Sequence, residues 1–548
     1  MAIVTLIYGL NLATLTEIGK AQLMTVKPLG DSAWWVEIPG EAPLAQVLGL
    51  KALLEKNQPA GVLDLVSSFA SIAVHFQGRD ALAIKEWIEA ALCQPISTEV
   101  PLGQCFEIPV CYDGEDLAEV AARLDLTPAA VISLHSSAAY TVAAVGFSPG
   151  FPYLLGLPPA LHLPRRQTPR LAVAAGSVAI AGAQTGIYPF TSPGGWHVLG
   201  RTDQKLFDPE NSPPALLRPG DRVKFIPVQT LAARVEKPPH EIKVSTAYFE
   251  VIQAGAMTTV QDLGRPGYED SGVSPGGAVD RESLALANLL VGNDAGAAAL
   301  EICLSGPILK FHQHAIIAWV DGVGKSRNVQ AGEVMDFSKL NYGVRSYLAV
   351  AGGIQVPKVL GSAATDVRAG FGGHQGRALQ AGDRLQIGTP DESPKPGNWH
   401  IGRAMRRPQI ELRYLSGSQH DWFSAEARER IRHENYQITP QSDRMGARLS
   451  GAALFLQSPQ EMVSQPVACG TIQVPPDGQP IILLAGRQTL GGYPQIGHVI
   501  SVDLPLLARA WPGTRVRFRE ISWQDAQQLK LDSESRWASL AVGIELKK

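Results

Sequence analysis

A chain of 548 residues, 45% hydrophobic and 18% charged, has ample core for roughly three or four domains and is neither disordered nor collagen-like. A formal net charge of −3 gives no electrostatic reason to expect nucleic acid or an anionic membrane as partner. Five scattered cysteines with no CxxC pair exclude a zinc ribbon and a disulfide scaffold, and fit free thiols in a reducing cytoplasm.

No apolar run approaches the ~20 residues that span a bilayer. Residues 1–23 lack a basic start and a cleavage site and read as an appendage rather than a signal peptide. From Met24 the pattern sharpens. VKPLGDSAWWVEI holds a turn and a strand, APLAQVLGLKALLEKN has helical period, GVLDLVSSF and SIAVHF are strand-like, and ALAIKEWIEAALCQ is a second helix. This order predicts a small α+β domain of split-βαβ type over 24–98. A β-barrel is expected over 99–230. Inside it Thr127-Pro128 forms a helix start, a capping residue followed by proline at the first helical position.

The densest stretch runs from Gly146 to Arg201, where Gly and Pro recur between short apolar runs and force repeated sharp turns. Arg165, Arg170, Gln184, Thr185, Tyr188 and Ser192 sit among those turns. AGAQTGIYP (Ala181–Pro189) is echoed by AGRQTLGGYP (Ala485–Pro494), and RPGDRVKF by WPGTRVRF. The echo predicts two related barrels whose Gln-Thr hairpins face one site. Residues 231–244 read as a linker, 245–395 as a β-rich domain, and 396–548 as a second barrel domain ending in a peripheral helix.

Several local patterns suggest chemistry. Gly146-Phe-Ser148-Pro-Gly150 has the spacing of a hydrolase nucleophile elbow, but Pro149 lacks the N–H such an elbow needs, so a tight turn is expected. Gly322–Ser326 looks like the end of a P-loop without its leading glycine and reads as a β-turn. His312 and His314 share a strand face without further ligands, and no metal site is predicted. Two Ser-Pro-Gly-Gly loops (Ser192, Gly194, Gly195; Ser274, Gly276, Gly277) offer backbone amides to an anion, the second just ahead of a helix. Asp262 with Arg265, and Arg444 with Asp477 and Arg487, place opposite charges in Gly/Pro-rich loops.

The segments KPLGD (Lys27–Asp31), GFSPGFPYLLGLP and GSVAIAGAQTGIYPFTSPGGWHVLGRT resemble the B-type subunit of bacterial 5-oxoprolinase (the KipI family). TTVQDLGRPGY, SPGGAVD, LANLLVGN and GTIQVPPDGQPIILLAGRQTLGGYP resemble its C-type subunit (the KipA family). The resemblance covers Met24 to about Ile521, in the order of a B–C fusion, and extends to the carboxyltransferase region of urea carboxylase. It implies a mainly β fold of cyclophilin-like barrels with α+β additions. It also implies ATP-dependent conversion of 5-oxoproline to glutamate together with a separate A-type 5-oxoprolinase subunit, with ATP and Mg as cofactors and no covalently attached biotin. On that reading the Ser-Pro-Gly-Gly loops and Arg444 or Arg487 meet anions, Asp262 or Asp477 handles protons, and Gln184 and Gln488 orient the amide. His135, Thr489 and Tyr493 complete the candidate lining. Three positions depart from the family pattern: Asp270 where a basic residue is usual, Gly486 where Asp is usual, and Ala364 where Ser is usual. The alternatives are a carboxyltransferase module and a regulator that binds a histidine kinase.

Overall fold

A computed structural model describes residues 24–40, 43–100, 103–231, 247–339, 343–390, 401–402, 407–460 and 462–546. The expected appendage 1–23 and nearly all of the expected linker 231–244 lie outside them. Among the described residues no helix is long and apolar enough to cross a membrane.

The first unit is a four-stranded sheet. Strands Ala33–Glu37 and Val62–Ser67 are joined by helix Pro43–Lys56 and flank the antiparallel strand Ser71–Phe76, which is the split-βαβ arrangement. A further edge strand, Thr25–Pro28, pairs with Ala33–Glu37. Both helices, Pro43–Lys56 and Ala81–Leu92, bury their apolar faces (Val47, Leu50, Leu54; Ile84, Ile88) in the core of this unit.

The chain then enters a seven-stranded barrel. Cys105–Val110 and Arg222–Pro227 form its parallel pair, and reciprocal backbone bonds between Cys111 and Arg201 close it. Helix Pro128–Ser137 starts as expected, with Thr127 accepting from Ala130 N–H at 3.2 Å. Two five-stranded sheets follow, with helix Arg281–Leu290 against the second of them, and then a closed barrel over Gln409–Glu520. Its strands pair in the same order as those of the first barrel. Gln409–Ser416 runs parallel to Arg515–Glu520, and a two-stranded ribbon (Gln465–Pro466 with Leu490–Gly491) answers the ribbon Arg170–Val173 with Ser192–Gly194.

Hydrogen bonding corrects the alignment of the echoed motifs. Gly176 and Gly470 are the true counterparts. Each has φ near +90°, each donates to the strand that will next return (Tyr188 O, Leu483 O), and each accepts from the strand beyond (Thr202 N, Val499 N). That register places Gln184-Thr185 at the start of a barrel strand, but Gln488-Thr489 in the loop after one. The counterpart of the Gly486–Gln488 loop is therefore Phe190–Ser192, and the shared letters Gln-Thr occupy different structural places.

The two halves interlock. Leu29, Trp35, Phe69, Tyr153 and Trp196 from the first half share a core with Ala468 and Leu490 from the second. Gly150 N–H donates to Ser271 O, and Asp31 accepts from the amide and hydroxyl of Ser501. The last helix, Trp523–Glu545, is no peripheral element. Trp523 stacks near Trp34 at 5.0 Å, Gln527 donates to Asp31 O, and Ile544 packs with helix Arg281–Leu290. The helix thus straps the start of the first half to the second.

A candidate active site between the halves

A narrow cleft lies where the two halves meet. The space free of atoms is about 430 Å³ and opens to solvent, but the centre of a water molecule can roam only about 30 Å³ of it. A water fits as the cleft stands, and a small organic ligand would need the walls to part. Those walls come from five stretches: Phe147–Pro149 and Phe190–Ser192 of the first half, and Gly272 with Ser274, Asp366 with Arg368 and Ala369, and Gly486–Gln488 of the second. A larger, more open groove crosses the first barrel between Gly103–Phe106 and Gln204–Asp221, but it contains none of the residues singled out above.

Local backbone chemistry explains how the cleft forms. The GFSPG stretch turns as expected, with Phe147 at φ 69° and Gly150 at φ 75°. Gly272 is needed opposite it, because at φ 76° a Cβ there would sit 2.5 Å from Ser148 O. The turn leaves the Phe147 ring under the Arg368 guanidinium, 5.0 Å from its centroid. Ser148 and Ser192 are buried, 6% and 4% exposed, and neither hydroxyl has a hydrogen-bond partner. Such groups are costly to bury unless something polar meets them. The third serine, Ser274, donates to Ala485 O at 2.9 Å.

Arg487 supplies the buried cation. It is 4% exposed, with Nη2 2.8 Å from Glu269 Oε2 and Nη1 bonded to Gln488 O. Two of its five donors are thus engaged and the others stay available to an anion. Asp366 is the carboxylate of the lining, and its Oδ1 accepts from Arg368 N and Ala369 N. A Cβ added at Gly486 would meet Arg444 O at 3.1 Å.

Of the sequence-marked residues, the structure brings Ser192, Ser274, Arg487 and Gln488 to the cleft. The rest lie elsewhere, each for a physical reason. Asp262 is tied by Ser362 Oγ, Ala363 N and Gly264 N, and Arg265 bonds Ala364 O and lies over Phe371, so the pair is structural. Asp477 is exposed in a turn, accepting from Gln479 N. Neither aspartate lines the cleft. Arg444 pairs with Glu301 and donates to Gly277 O, bracing the loop instead of the ligand. His135 is enclosed in the first barrel between Tyr112 and Thr185, stacked on Phe225, and burial lowers its pKa to about 3. Gln184 pairs along a sheet and Tyr188 belongs to an aromatic cluster with Phe151. Arg165 is exposed, and Arg170 is held by Asp116. Tyr493 is exposed outside the lining, and Thr489 is buried behind it.

The two Ser-Pro-Gly-Gly loops take different shapes. Ser192–Gly194 is a ribbon strand, and Gly194 is required because a Cβ would collide with the Tyr188 hydroxyl; Gly195 O accepts from Arg166 N. Gly276 and Gly277 turn the second loop at φ 60° and 78°. The helix that follows is already capped by its own anion, Asp280, which accepts from Ser283 N.

Behind Arg487 lies a buried charged cluster that sequence patterning does not reveal. Glu269 sits between Arg487 and His75, with its Oε2 3.7 Å from His75 Nε2, while its backbone N–H donates to Asp64. Asp270, the departure noted above, pairs with Lys51 at 2.6 Å. Burial pushes Asp64 up from 3.8 to about 7, with Asp270 and Glu269 adding to the effect. A raised carboxylate binds its proton more tightly in the folded chain. Its stabilising contribution is complete below about pH 4 and is lost as pH rises through 7. Urea unfolding of Asp64→Asn should therefore show a flatter pH dependence than the parent between pH 5 and 8, by about 2–4 kcal/mol. Equal slopes would contradict this.

Comparison with known proteins supports a relationship over both halves. Residues 24–217 match the family model described as carboxyltransferase domain, subdomain C and D, and residues 271–520 match carboxyltransferase domain, subdomain A and B. The second half is 37% identical over 305 residues to the C-type subunit of 5-oxoprolinase from Escherichia coli strain K12, covering 54% of this chain and 97% of the relative. The first is 42% identical over 213 residues to the B-type subunit of 5-oxoprolinase from Haemophilus influenzae, covering 37% of this chain and 97% of the relative. The crystal structure of TTHA0988 is similar across both halves, with TM-score 0.78 and 35% identity, over 90% of this chain and 100% of that one.

Proposed function

Since the chain belongs to the family of B-type and C-type 5-oxoprolinase subunits, joined here in one polypeptide, we propose that it binds 5-oxoproline in the cleft between its halves, whose walls part to admit it. It then serves, with a separate A-type subunit, in the ATP-dependent conversion of that lactam to glutamate. The observation that carries this reading is the set of groups in the cleft: buried Arg487 facing two unpartnered serine hydroxyls across the junction of the halves.

The chemistry follows from those groups. Arg487 holds the substrate carboxylate, with Arg368 as a second cation at the rim. Ser148 and Ser192 donate to the lactam carbonyl oxygen and strengthen as negative charge grows there. Asp366 accepts the proton of the attacking water, the C–O bond forms, the ring C–N bond breaks, and the proton passes to the departing nitrogen. A lactam carbonyl is a poor electrophile, so ATP first transfers its γ-phosphoryl to the carbonyl oxygen and ADP leaves; water addition and ring opening then give an acyl phosphate, which a second water splits to glutamate and phosphate. On this reading ATP and Mg belong with the A-type partner. The five unpaired thiols suit work in the cytoplasm.

The test is reconstitution. Glutamate and phosphate should appear from 5-oxoproline and ATP only when the chain and its A-type partner are mixed. A carboxyl-transfer reading draws on the description shared by both family models. It would displace the first if no mixture releases glutamate while the chain accepts carboxyl from biotin on another protein.

A further inference from the structure

His75 is the unexplained member of the buried cluster. Its Nε2 is fully enclosed and has no hydrogen-bond partner, yet its neighbour is the very carboxylate that holds Arg487. At 3.7 Å the contact is too long for a hydrogen bond, and a shift of less than an ångström by Glu269 would make one. The Glu269 main chain is fixed by its N–H to Asp64, so the side chain is what moves.

We propose that His75 is a positioning residue that takes over the Glu269 carboxylate when an anionic substrate in the cleft draws Arg487 away. The first half would then set the affinity of a site its small domain does not line. This rests on reading the cleft as the lactam site. A buried carboxylate deprived of its arginine is costly, and a waiting imidazole N–H lowers that cost.

The exchange has a proton signature. Burial first, and then Arg487, keep the His75 pKa below its ordinary value, while Glu269 acts the other way. Moving Arg487 off and Glu269 closer both favour the imidazolium, so ligand binding takes up protons from solvent. The other groups facing this cluster are Asp64, Lys51, Glu55 and Asp270 from the neighbouring elements, and Cys469, which also senses Arg281 and Asp31.

The experiment is calorimetry of 5-oxoproline binding to the full chain near pH 7 in buffers of different ionisation enthalpy. The parent should bind with measurable proton uptake. His75→Ala should weaken binding about tenfold and abolish the uptake, whereas His75→Gln, which retains an N–H donor, should recover affinity but not uptake. No uptake in the parent, or equal uptake in His75→Gln, overturns the proposal. If the parent binds no 5-oxoproline, the functional reading fails separately. The crystal structure of Arg487→Ala then decides: Glu269 within hydrogen-bond distance of His75 supports the exchange, and an unmoved Glu269 refutes it.

Discussion

Arg487→Ala should lower kcat/KM for 5-oxoproline at least about a hundredfold in the reconstituted assay, the largest functional effect expected of any single substitution here. Two losses combine. The substrate carboxylate loses its buried cation, and a charged hydrogen bond in a closed site is worth roughly 1.5–3 kcal/mol. Glu269, itself 4% exposed, is left without its arginine, and breaking one side of a buried pair costs about 3–5 kcal/mol. Arg487→Lys separates the two. It keeps the charge near Glu269 but lacks the planar fork that grips a substrate carboxylate with two N–H donors, so stability should recover more than activity. Full activity in Arg487→Ala would remove the cleft from consideration as the site.

Arg444→Ala should be the most destabilising single change, by about 3–5 kcal/mol in urea unfolding. Its partner Glu301 is buried at 3% exposure and also accepts from Val279 N and Tyr347 OH. Burial alone would push that carboxyl up, but Arg444 and then Arg345 outweigh it and hold Glu301 below the ordinary range. Removing the arginine leaves a charge that water cannot reach and frees the Gly277 carbonyl it braces. The double variant Arg444→Met with Glu301→Gln should recover much of the loss, because no buried charge then lacks a partner. A single variant as stable as the parent would show that the pair is solvated.

How much of this was legible in the residues depends on the range of the interactions involved. Thr127-Pro128 marked its helix correctly because capping is settled within a few residues. The split-βαβ unit and the paired Pro-Gly turns into basic strands were readable for the same reason. The Gln-Thr echo misled. It matched letters, whereas the equivalence of Gly176 with Gly470 is written in backbone bonds to distant strands. The cleft was legible in part. Ser192, Ser274, Arg487 and Gln488 stood in marked loops and Phe147 in the marked GFSPG turn, while Asp366 and Arg368 did not. Ser148 was set aside as a turn residue, and it is one, yet it also lines the cleft. Glu269, Asp64 and His75 meet only because three elements far apart in sequence pack together, and no local pattern records that. The oddity at Asp270 was the one signal. Its reason, the Lys51 partner, lies 219 positions away.

The claim on which the account rests is that the junction of the halves is where the lactam binds. A crystal structure of the full chain with 5-oxoproline tests it most directly. The account predicts the carboxylate on Arg487 and the ring carbonyl toward Ser148 and Ser192. Ligand bound instead in the groove between Gly103–Phe106 and Gln204–Asp221, with the cleft vacant, would contradict it.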